Sequence, residues 1–195
     1  LPWEEDLVDR FVKPGDAVLV IGSGSGRDVI PLAERGCHVT CIEPASQPFE
    51  IACRVLRERQ LPVTMVEGFF EDVPLSGEFA VVMFSHYCYG YIPDSRRRID
   101  ALRKAGRHLS TGGRILLNYG TVPRLSPLTT WLAKAVGALC GSDWHIEPGD
   151  IILRRTSFYF YSHVFTWEEI AAEAAEAGLR VVYRGHDPVL ALAAP

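Results

Sequence analysis

Three glycines at alternate positions are the residues of this chain most suited to hold a ligand: Gly22, Gly24 and Gly26. They follow the apolar run 17–21, which is typical of a strand covered on both faces, and they precede a helical pattern over 27–35. Glycine is favoured where the backbone turns sharply and where a ligand lies directly against the main chain. The pattern therefore predicts a ligand site, with a simple tight turn between strand and helix as the alternative.

An acidic residue at the end of the next predicted strand agrees with the ligand hypothesis. Glu43 lies 19 residues after Gly24. In sheets of this kind an acid about 20 residues beyond the glycine turn reaches the hydroxyl groups of a ribose. A carboxylate that accepts hydrogen bonds from both hydroxyls makes charge-assisted bonds, which are the stronger kind. Glu43 therefore predicts a ligand that contains a nucleoside.

Polar and aromatic side chains after the fourth predicted strand are candidates for the chemistry itself, because ligands of doubly wound sheets bind beyond the carboxyl ends of the strands. His86 is the first candidate for a general base, since it follows that strand and the pKa of a free histidine is about 6.5. His163 and His145 come next, and Tyr87 or Tyr91 would orient a second substrate. For each of these residues, a structural or solvent-facing role is the alternative.

These candidates need a scaffold, and the hydrophobic pattern predicts one in which strands and helices alternate after an N-terminal helix that ends at Phe11. Further strands are predicted over 37–42, 63–67, 79–85, 113–119, 157–165, 179–183 and 189–192, and helices over 46–59, 95–109, 128–139 and between Thr166 and Gly178. Helices of this length imply right-handed crossovers. We predict an α/β fold with a doubly wound, seven-stranded, mostly parallel sheet, helices on both faces and a C-terminal antiparallel hairpin, in one domain over 1–195.

The stretch 121–156 interrupts the alternation. It contains several prolines and lies between the fifth predicted strand and the last helix. We expect a lid or substrate cover here. A dimer contact or a plain cover of the core is the alternative, because long connections have a function only in some proteins. As a cover it would bring these side chains to the substrate: Trp131, Leu132, Trp144, His145 and Ile146.

Charge, cysteines and hydropathy limit the partners of the 195-residue chain. The formal net charge of −4 argues against nucleic acid, and the basic run 96–107 is expected to be a solvated helix face. Five cysteines without a CxxC pair predict neither a disulfide framework nor a metal site. No apolar stretch approaches the roughly 20 residues that span a bilayer, and the acidic start lacks the form of a secretion signal. We expect a cytoplasmic protein.

Taken together, the motifs resemble those of the class I S-adenosylmethionine-dependent methyltransferases of the small-molecule type. The compact G-x-G-x-G spacing is that of this family, whereas dinucleotide-binding dehydrogenases have G-x-G-x-x-G. Segments 67–74, 79–87, 111–117 and 165–182 resemble its later motifs, and the closing antiparallel strand is typical of it. The resemblance implies S-adenosylmethionine as cofactor and S-adenosylhomocysteine as product. It also implies the following cofactor-binding residues: Gly22, Ser23, Gly24, Gly26, Glu43, Pro44, Phe69, Phe70 and Ser85.

Two positions depart from the family pattern. Val20 and Phe69 stand where the family usually has acids, one near the methionine end of the cofactor and one at the adenine amine. We expect Phe69 or Phe70 to pack against the purine instead, and Glu71 or Asp72 to accept its amine. The alternative is that these rings only join the hydrophobic core.

The predicted function is transfer of a methyl group from S-adenosylmethionine to O, N or C of a small-molecule acceptor. His86, Tyr87 and His163 are the candidate catalytic residues, and no metal is predicted. One alternative is a non-catalytic S-adenosylmethionine-binding or regulatory module, which the departures at Val20 and Phe69 favour. A nicotinamide oxidoreductase is disfavoured by the glycine spacing and by the hairpin. We expect a monomer or homodimer that acts without nucleic acid or a membrane.

Overall fold

The computed structural model describes residues 2–121, 127–141, 146–155, 158–186 and 188–195, which contain nine strands and six α-helices. The helices are α1 (Pro2–Phe11), α2 (Val29–Glu34), α3 (Ser46–Glu58), α4 (Ser95–Arg107), α5 (Pro127–Cys140) and α6 (Trp167–Glu176). The strands are β1 (Ala17–Ile21), β2 (His38–Glu43), β3 (Thr64–Glu67), β4 (Phe79–Phe84), β5 (Leu109–Asn118), β6 (Asp150–Arg155), β7 (Phe158–His163), β8 (Arg180–Arg184) and β9 (Val189–Ala193). Over these same residues, no helix has both the length and the apolar character needed to cross a membrane.

Seven strands form one sheet in the order β3-β2-β1-β4-β5-β9-β8. Strands β1 to β5 pair in parallel, and β9 is antiparallel to both of its neighbours. Ile21 at the end of β1 lies between Ile42 of β2 and Phe84 of β4, so three carboxyl ends meet at one edge. A crevice is expected at this edge, because the strand order reverses there: the chain runs from β1 outwards to β2 and β3 and then returns to β4 on the other side of β1. The predicted sheet and closing hairpin are confirmed.

Side chains of β1 point alternately into two separate cores. Leu19 and Ile21 pack with residues of α4 and α6, whereas Val18 and Val20 pack with residues of α1, α2 and α3. Burial of such a side chain stabilises the fold by about 1.5–3 kcal/mol. Helices therefore lie on both faces of the sheet, as predicted. Val20, at the usually acidic position, is a core residue.

Helix α6 begins directly after Thr166, where the sequence predicted its start. The Thr166 hydroxyl accepts a hydrogen bond from the backbone N–H of Glu169 at 3.2 Å, and the Glu169 carboxylate accepts one from the N–H of Thr166 at 3.4 Å. This reciprocal pair is a capping box, which satisfies backbone donors that the helix leaves unpaired. Glu169 is thereby held in place, and its second carboxylate oxygen is available for another partner.

Strands β6 and β7 form a separate antiparallel hairpin, and β6 was not predicted. The sequence Glu147-Pro148-Gly149-Asp150 indicated only a turn, but β6 begins at the last residue of that turn. The hairpin lies beside a 3-10 turn at Cys88–Tyr91 that follows β4, where the rings of Phe160 and Tyr91 are 5.7 Å apart. The predicted helix of the 121–156 stretch is present as α5, while Trp144 and His145 lie outside the described residues.

Candidate cofactor and acceptor site

The glycine turn after β1 has a conformation that side chains other than glycine rarely adopt. Gly22 has a φ of +75° and Gly24 a φ of +55°, both in the left-handed region. A Cβ atom on Gly22 would come within 2.9 Å of the Cβ of Cys88, so the 3-10 turn packs directly against this position. A Cβ on Gly24 would meet nothing within 4 Å. Gly22 is thus required by packing, while Gly24 leaves open space for a ligand.

Glu43 lies directly against this bare turn. Its Oε2 accepts a hydrogen bond from Gly24 N at 2.6 Å, and its Oε1 accepts one from Ala45 N at 3.0 Å. A carboxylate has about four acceptor sites, so each oxygen retains a lone pair for another donor. The two features that predicted a nucleoside ligand, separated by 19 residues of sequence, therefore come together in space.

A cavity of about 500 Å³ opens beside Gly24 and Glu43. Of the predicted cofactor-binding residues, these line it: Gly22, Ser23, Gly24, Glu43, Pro44, Phe69, Phe70 and Ser85. Gly26 is not among the lining residues, and a Cβ there would contact the side chains of Ala52 and Ile30 instead. The volume is within the range of about 300–1,000 Å³ that small ligands and cofactors occupy. The bare main chain, the carboxylate and the volume fit S-adenosylmethionine.

The two phenylalanines after β3 have different surroundings. Phe69 is 63% exposed and lines the cavity, whereas Phe70 is 3% exposed and packs edge to face on Phe84 at 5.9 Å. Phe69 therefore offers a free ring to a purine, and Phe70 belongs chiefly to the core. Glu71 also lines the cavity, while Asp72 is not among its lining residues. Of the two acids considered for the adenine amine, the structure brings Glu71 to the site.

Asp28 adds an acid next to the turn that the sequence analysis did not single out. Its carboxylate accepts a hydrogen bond from the Ser85 hydroxyl and two from Arg27, from Nε at 2.9 Å and Nη2 at 3.0 Å. An acidic residue before a helix is usually a cap, yet Asp28 makes no side-chain capping bond to α2. Its position two residues after Gly26 was the available signal. Asp28 ties the end of β4 to the glycine turn.

His86 and Tyr87 occupy a strained loop at the end of β4. Their φ angles are +40° and +62°, a region that costs other residues about 1–2 kcal/mol. The side-chain oxygen of Asn118, at the end of β5, accepts a hydrogen bond from Tyr87 N at 2.8 Å and helps to hold this conformation. His86 lines the cavity, with Nδ1 3.3 Å from Arg27 Nη1. Tyr87 is not among the lining residues. Strain of this kind is typical of functional sites.

His163, the third catalytic candidate, is placed elsewhere. Its ring is fully buried, with Nδ1 2.7 Å from Asp150 and Nε2 3.0 Å from Glu169, and it does not line the cavity. Burial lowers the pKa of His163, but the hydrogen bonds to Asp150 and Glu169 outweigh it and leave the pKa above its usual value. The structure thus gives His163 the contacts of a residue that links the hairpin to α6. His145 lies outside the described residues.

This arrangement predicts a pH-dependent contribution of His163 to stability. A histidine whose pKa is raised by folding stabilises the fold fully below its unfolded pKa of about 6.5, and that stabilisation is lost as the pH rises through the raised pKa. In urea unfolding at a series of pH values, His163→Gln is expected to remove this alkaline decline. Glu169→Gln, which keeps the imidazole but removes one carboxylate, is expected to weaken it. Identical pH profiles for wild type and His163→Gln would contradict the assignment.

A second buried ionic cluster lies beside His163 and corrects the expectation of a solvated basic helix. Arg98 of α4 is fully buried and donates two hydrogen bonds to Glu173 of α6, at 2.9 and 2.7 Å. It also donates to Glu147 at 3.0 Å, while the Tyr89 hydroxyl donates to Glu173 at 2.6 Å. The cluster therefore joins α4, α6, the 3-10 turn and the segment before β6. Of these elements, the 3-10 turn contributes Cys88 and Tyr91 to the lining of the cavity.

Comparisons with known proteins find methyltransferases, and the matched family spans the part of the chain that contains the glycine turn and Glu43. Residues 18–113 match the family described as "Methyltransferase domain". A cypemycin N-terminal methyltransferase from Streptomyces sp is 33% identical over 106 residues, which are 53% of this chain and 42% of that relative. A ribosomal RNA small subunit methyltransferase G from Mycolicibacterium smegmatis is 34% identical over 121 residues, 57% of this chain and 51% of that relative. The chain thus spans about half the length of these curated relatives.

A solved structure extends the likeness in fold to nearly the whole chain. The glycopeptide N-methyltransferase MtfA, in complex with S-adenosylmethionine, has a TM-score of 0.71 at 18% identity, over 98% of this chain and 92% of that chain. The matched family covers β1 to the start of β5, where the glycine turn and Glu43 lie. By this match, residues 18–113 belong to the methyltransferase domain family, and the fold of the chain is the Rossmann-like fold of S-adenosylmethionine-dependent methyltransferases.

Proposed function

We propose that the chain transfers a methyl group from S-adenosylmethionine to O, N or C of a small-molecule acceptor. The observation that carries this proposal is one continuous cavity. Gly24, Glu43 and Phe69 line this cavity together with His86 and Tyr91. A single cavity can hold the cofactor and the acceptor side by side, which methyl transfer requires, because the acceptor atom must approach within about 3–3.5 Å in line.

Each part of the wall has its own task in this proposal. Glu43 accepts hydrogen bonds from the ribose hydroxyls, the bare backbone at Gly24 admits the ligand, and Phe69 packs on the purine. When bound, the cofactor supplies an electrophilic methyl group on a positively charged sulfur. His86 removes the proton from an acceptor that arrives protonated, and its Nδ1 lies 3.3 Å from Arg27 Nη1. Tyr87 acts through the loop that presents His86.

A small acceptor is supported by the remaining wall. Cys88, Tyr91, Ile92 and Pro93 give this part of the cavity an apolar surface, and the net charge is −4. Nucleic-acid binding depends on a concentrated basic surface. The matched relatives named for a peptide N-terminus and a glycopeptide nitrogen favour an amine as acceptor. Because another matched relative is named for ribosomal RNA, RNA is the alternative acceptor that the experiment has to include.

Three further points belong to the proposal. We assign the 121–156 stretch, together with β7, to the cover of the acceptor side within a single domain. This stretch includes β6, which pairs with β7, and the Phe160 ring of β7 lies 5.7 Å from the ring of Tyr91.

A reducing, cytoplasmic location is supported by free cysteines at 37, 41, 53 and 88. The protein acts as a monomer or homodimer, with a small-molecule acceptor as its partner and no metal.

Calorimetry with S-adenosylhomocysteine, followed by transfer of labelled methyl groups to amines, phenols, peptides and ribosomal RNA, tests the proposal. We expect S-adenosylhomocysteine to bind, NADH not to bind, and at least one small acceptor to be methylated. His86→Gln should then slow transfer to protonated acceptors by about 10²–10⁴-fold while leaving S-adenosylhomocysteine affinity unchanged. Absence of S-adenosylhomocysteine binding would refute the proposal. Binding without turnover on any acceptor would favour a non-catalytic module, and methylation of RNA alone would replace the small acceptor.

A further inference from the structure

Lys104 of α4 contacts the turn that follows β3. Its Nζ donates hydrogen bonds to the backbone carbonyls of Phe70 at 2.5 Å, Val73 at 2.6 Å and Glu71 at 3.0 Å. A lysine ammonium has three N–H donors, so all of them are used on this one turn. Lys104 belongs to the basic run that the sequence indicated as a solvated face, yet its charged end is directed to a single segment of main chain.

The turn itself is closed by hydrogen bonds of the helical type. The backbone N–H groups of Asp72 and Val73 both donate to the carbonyl of Phe69, at 3.0 and 3.1 Å. The chain does not continue as a helix after Val73, so no further helical turn supplies N–H donors to the carbonyls that follow Phe69. Carbonyls at the C-terminus of any helix are in the same situation. Lysine side chains near such ends donate to the last carbonyls and are favoured there by their charge.

The same turn separates a buried ring from an exposed one. Phe70 and Val73 are buried in the core, and Lys104 Nζ lies 4.9 Å from the centre of the Phe70 ring. Phe69, on the other side of the turn, stays exposed at the cavity wall, as does part of Glu71. Core packing therefore fixes one side of the turn, and the bonds from Lys104 fix the main chain between Phe70 and Val73.

We propose that Lys104 is a positioning residue for the adenine end of the cofactor site, because it holds the backbone that presents Phe69 and Glu71 to the cavity. The inference rests on the proposed function, since it concerns the adenosyl part of that ligand. A wall that is already in place costs less on binding than one that must be ordered by the ligand. Loss of the three bonds frees the turn, and binding then has to supply the ordering.

The neighbouring cations of α4 do not share this geometry. Arg103 donates to Asp100 on its own helix at 3.0 Å and to the carbonyl of Glu176 at 3.0 Å. Arg107, one turn further along α4, is exposed. Arg107→Met therefore removes the same charge from the same helix without touching the turn after β3. It is the matched control for Lys104→Met.

The test is calorimetric titration of the purified full chain with S-adenosylhomocysteine. We expect Lys104→Met to weaken binding about 10-fold, because three hydrogen bonds from a charged group are lost and only part of that loss reaches the ligand. Arg107→Met should bind as the wild type does. Lys104→Arg, which keeps donors and charge, should recover most of the affinity. A role in overall stability alone would lower the melting temperature but leave the affinity of the folded protein unchanged.

A double variant tests whether Lys104 acts through Phe69. In a Phe69→Ala background, Lys104→Met should cost much less affinity than in the wild type, because two residues that act as one unit are not additive. Full additivity, or equal affinities for Lys104→Met and Arg107→Met, would overturn the inference. If Lys104→Met does not fold, Lys104→Gln replaces it, with an expected loss of about threefold and the same overturning result. Failure of the proposed function is distinct, because the wild type itself would then not bind S-adenosylhomocysteine.

Discussion

Replacement of Gly24 by valine is expected to lower the affinity for S-adenosylhomocysteine by at least about 100-fold, or about 2.8 kcal/mol. Beyond the chain neighbours of Gly24, no atom of the described residues lies within 4 Å of the Cβ that valine would add at this position. The valine side chain would therefore extend into the cavity that the ligand needs. It would also strain a backbone with a φ of +55°, where a β-branched residue is an outlier. The same backbone N–H that donates to Glu43 would shift, so the acid at the ribose position would move as well.

Gly36→Val separates occlusion of the site from backbone strain. Gly36 has a φ of +84°, and a Cβ there would also meet nothing within 4 Å, but it lies between α2 and β2, at the other edge of the sheet. Both variants carry a left-handed valine, which costs about 1–2 kcal/mol of stability. Thermal unfolding should show similar losses for the two. If Gly24→Val kept the wild-type dissociation constant, the ligand would have to bind elsewhere.

The parts of the fold that the sequence predicted are those determined by local pattern. The apolar run 17–21, the alternation of strands and helices, and the start of the last helix at Thr166 each depend on residues close together in the chain. The glycine turn and Glu43 could be paired at a distance, because parallel strands bring their carboxyl ends to one edge whatever lies between them. The common scaffold therefore made this part of the candidate site predictable.

The contacts that the sequence did not predict join residues whose roles depend on tertiary packing. Ser85 and Asp28 are 57 positions apart, and Lys104 and Phe70 are 34 apart. Arg98 was grouped with its exposed neighbours by composition, but its spacing to Ala101, Leu102 and Ala105 places it on the buried face of α4. Helical periodicity was thus the signal that distinguished Arg98 within a basic run. For His163, one of the two nearby carboxylates is Asp150, the first residue of β6, and the sequence around Asp150 indicated only a turn.

Arg98→Met is expected to cost the largest amount of stability, about 3–5 kcal/mol. Arg98 is fully buried, and its partner Glu173 is only 4% exposed, so removal of the guanidinium leaves a buried carboxylate without its counter-charge. Burial already raises the pKa of Glu173, against the opposing effect of Arg98. Without Arg98 that pKa should rise further, so Glu173 would take up a proton on folding. The destabilisation measured by urea unfolding should therefore shrink as the pH falls towards the usual carboxyl range.

Two companion variants make this prediction specific to the buried pair. Arg97→Met removes the adjacent cation, whose contact with Asp94 is 3.6 Å long and partly exposed, and should cost less than about 1 kcal/mol. Glu173→Gln introduced into Arg98→Met should recover part of the loss, because the amide oxygen still accepts from the Tyr89 hydroxyl while the uncompensated charge is gone. A loss for Arg98→Met no larger than that for Arg97→Met would mean that this cluster does not stabilise the junction between α4, α6 and the 3-10 turn.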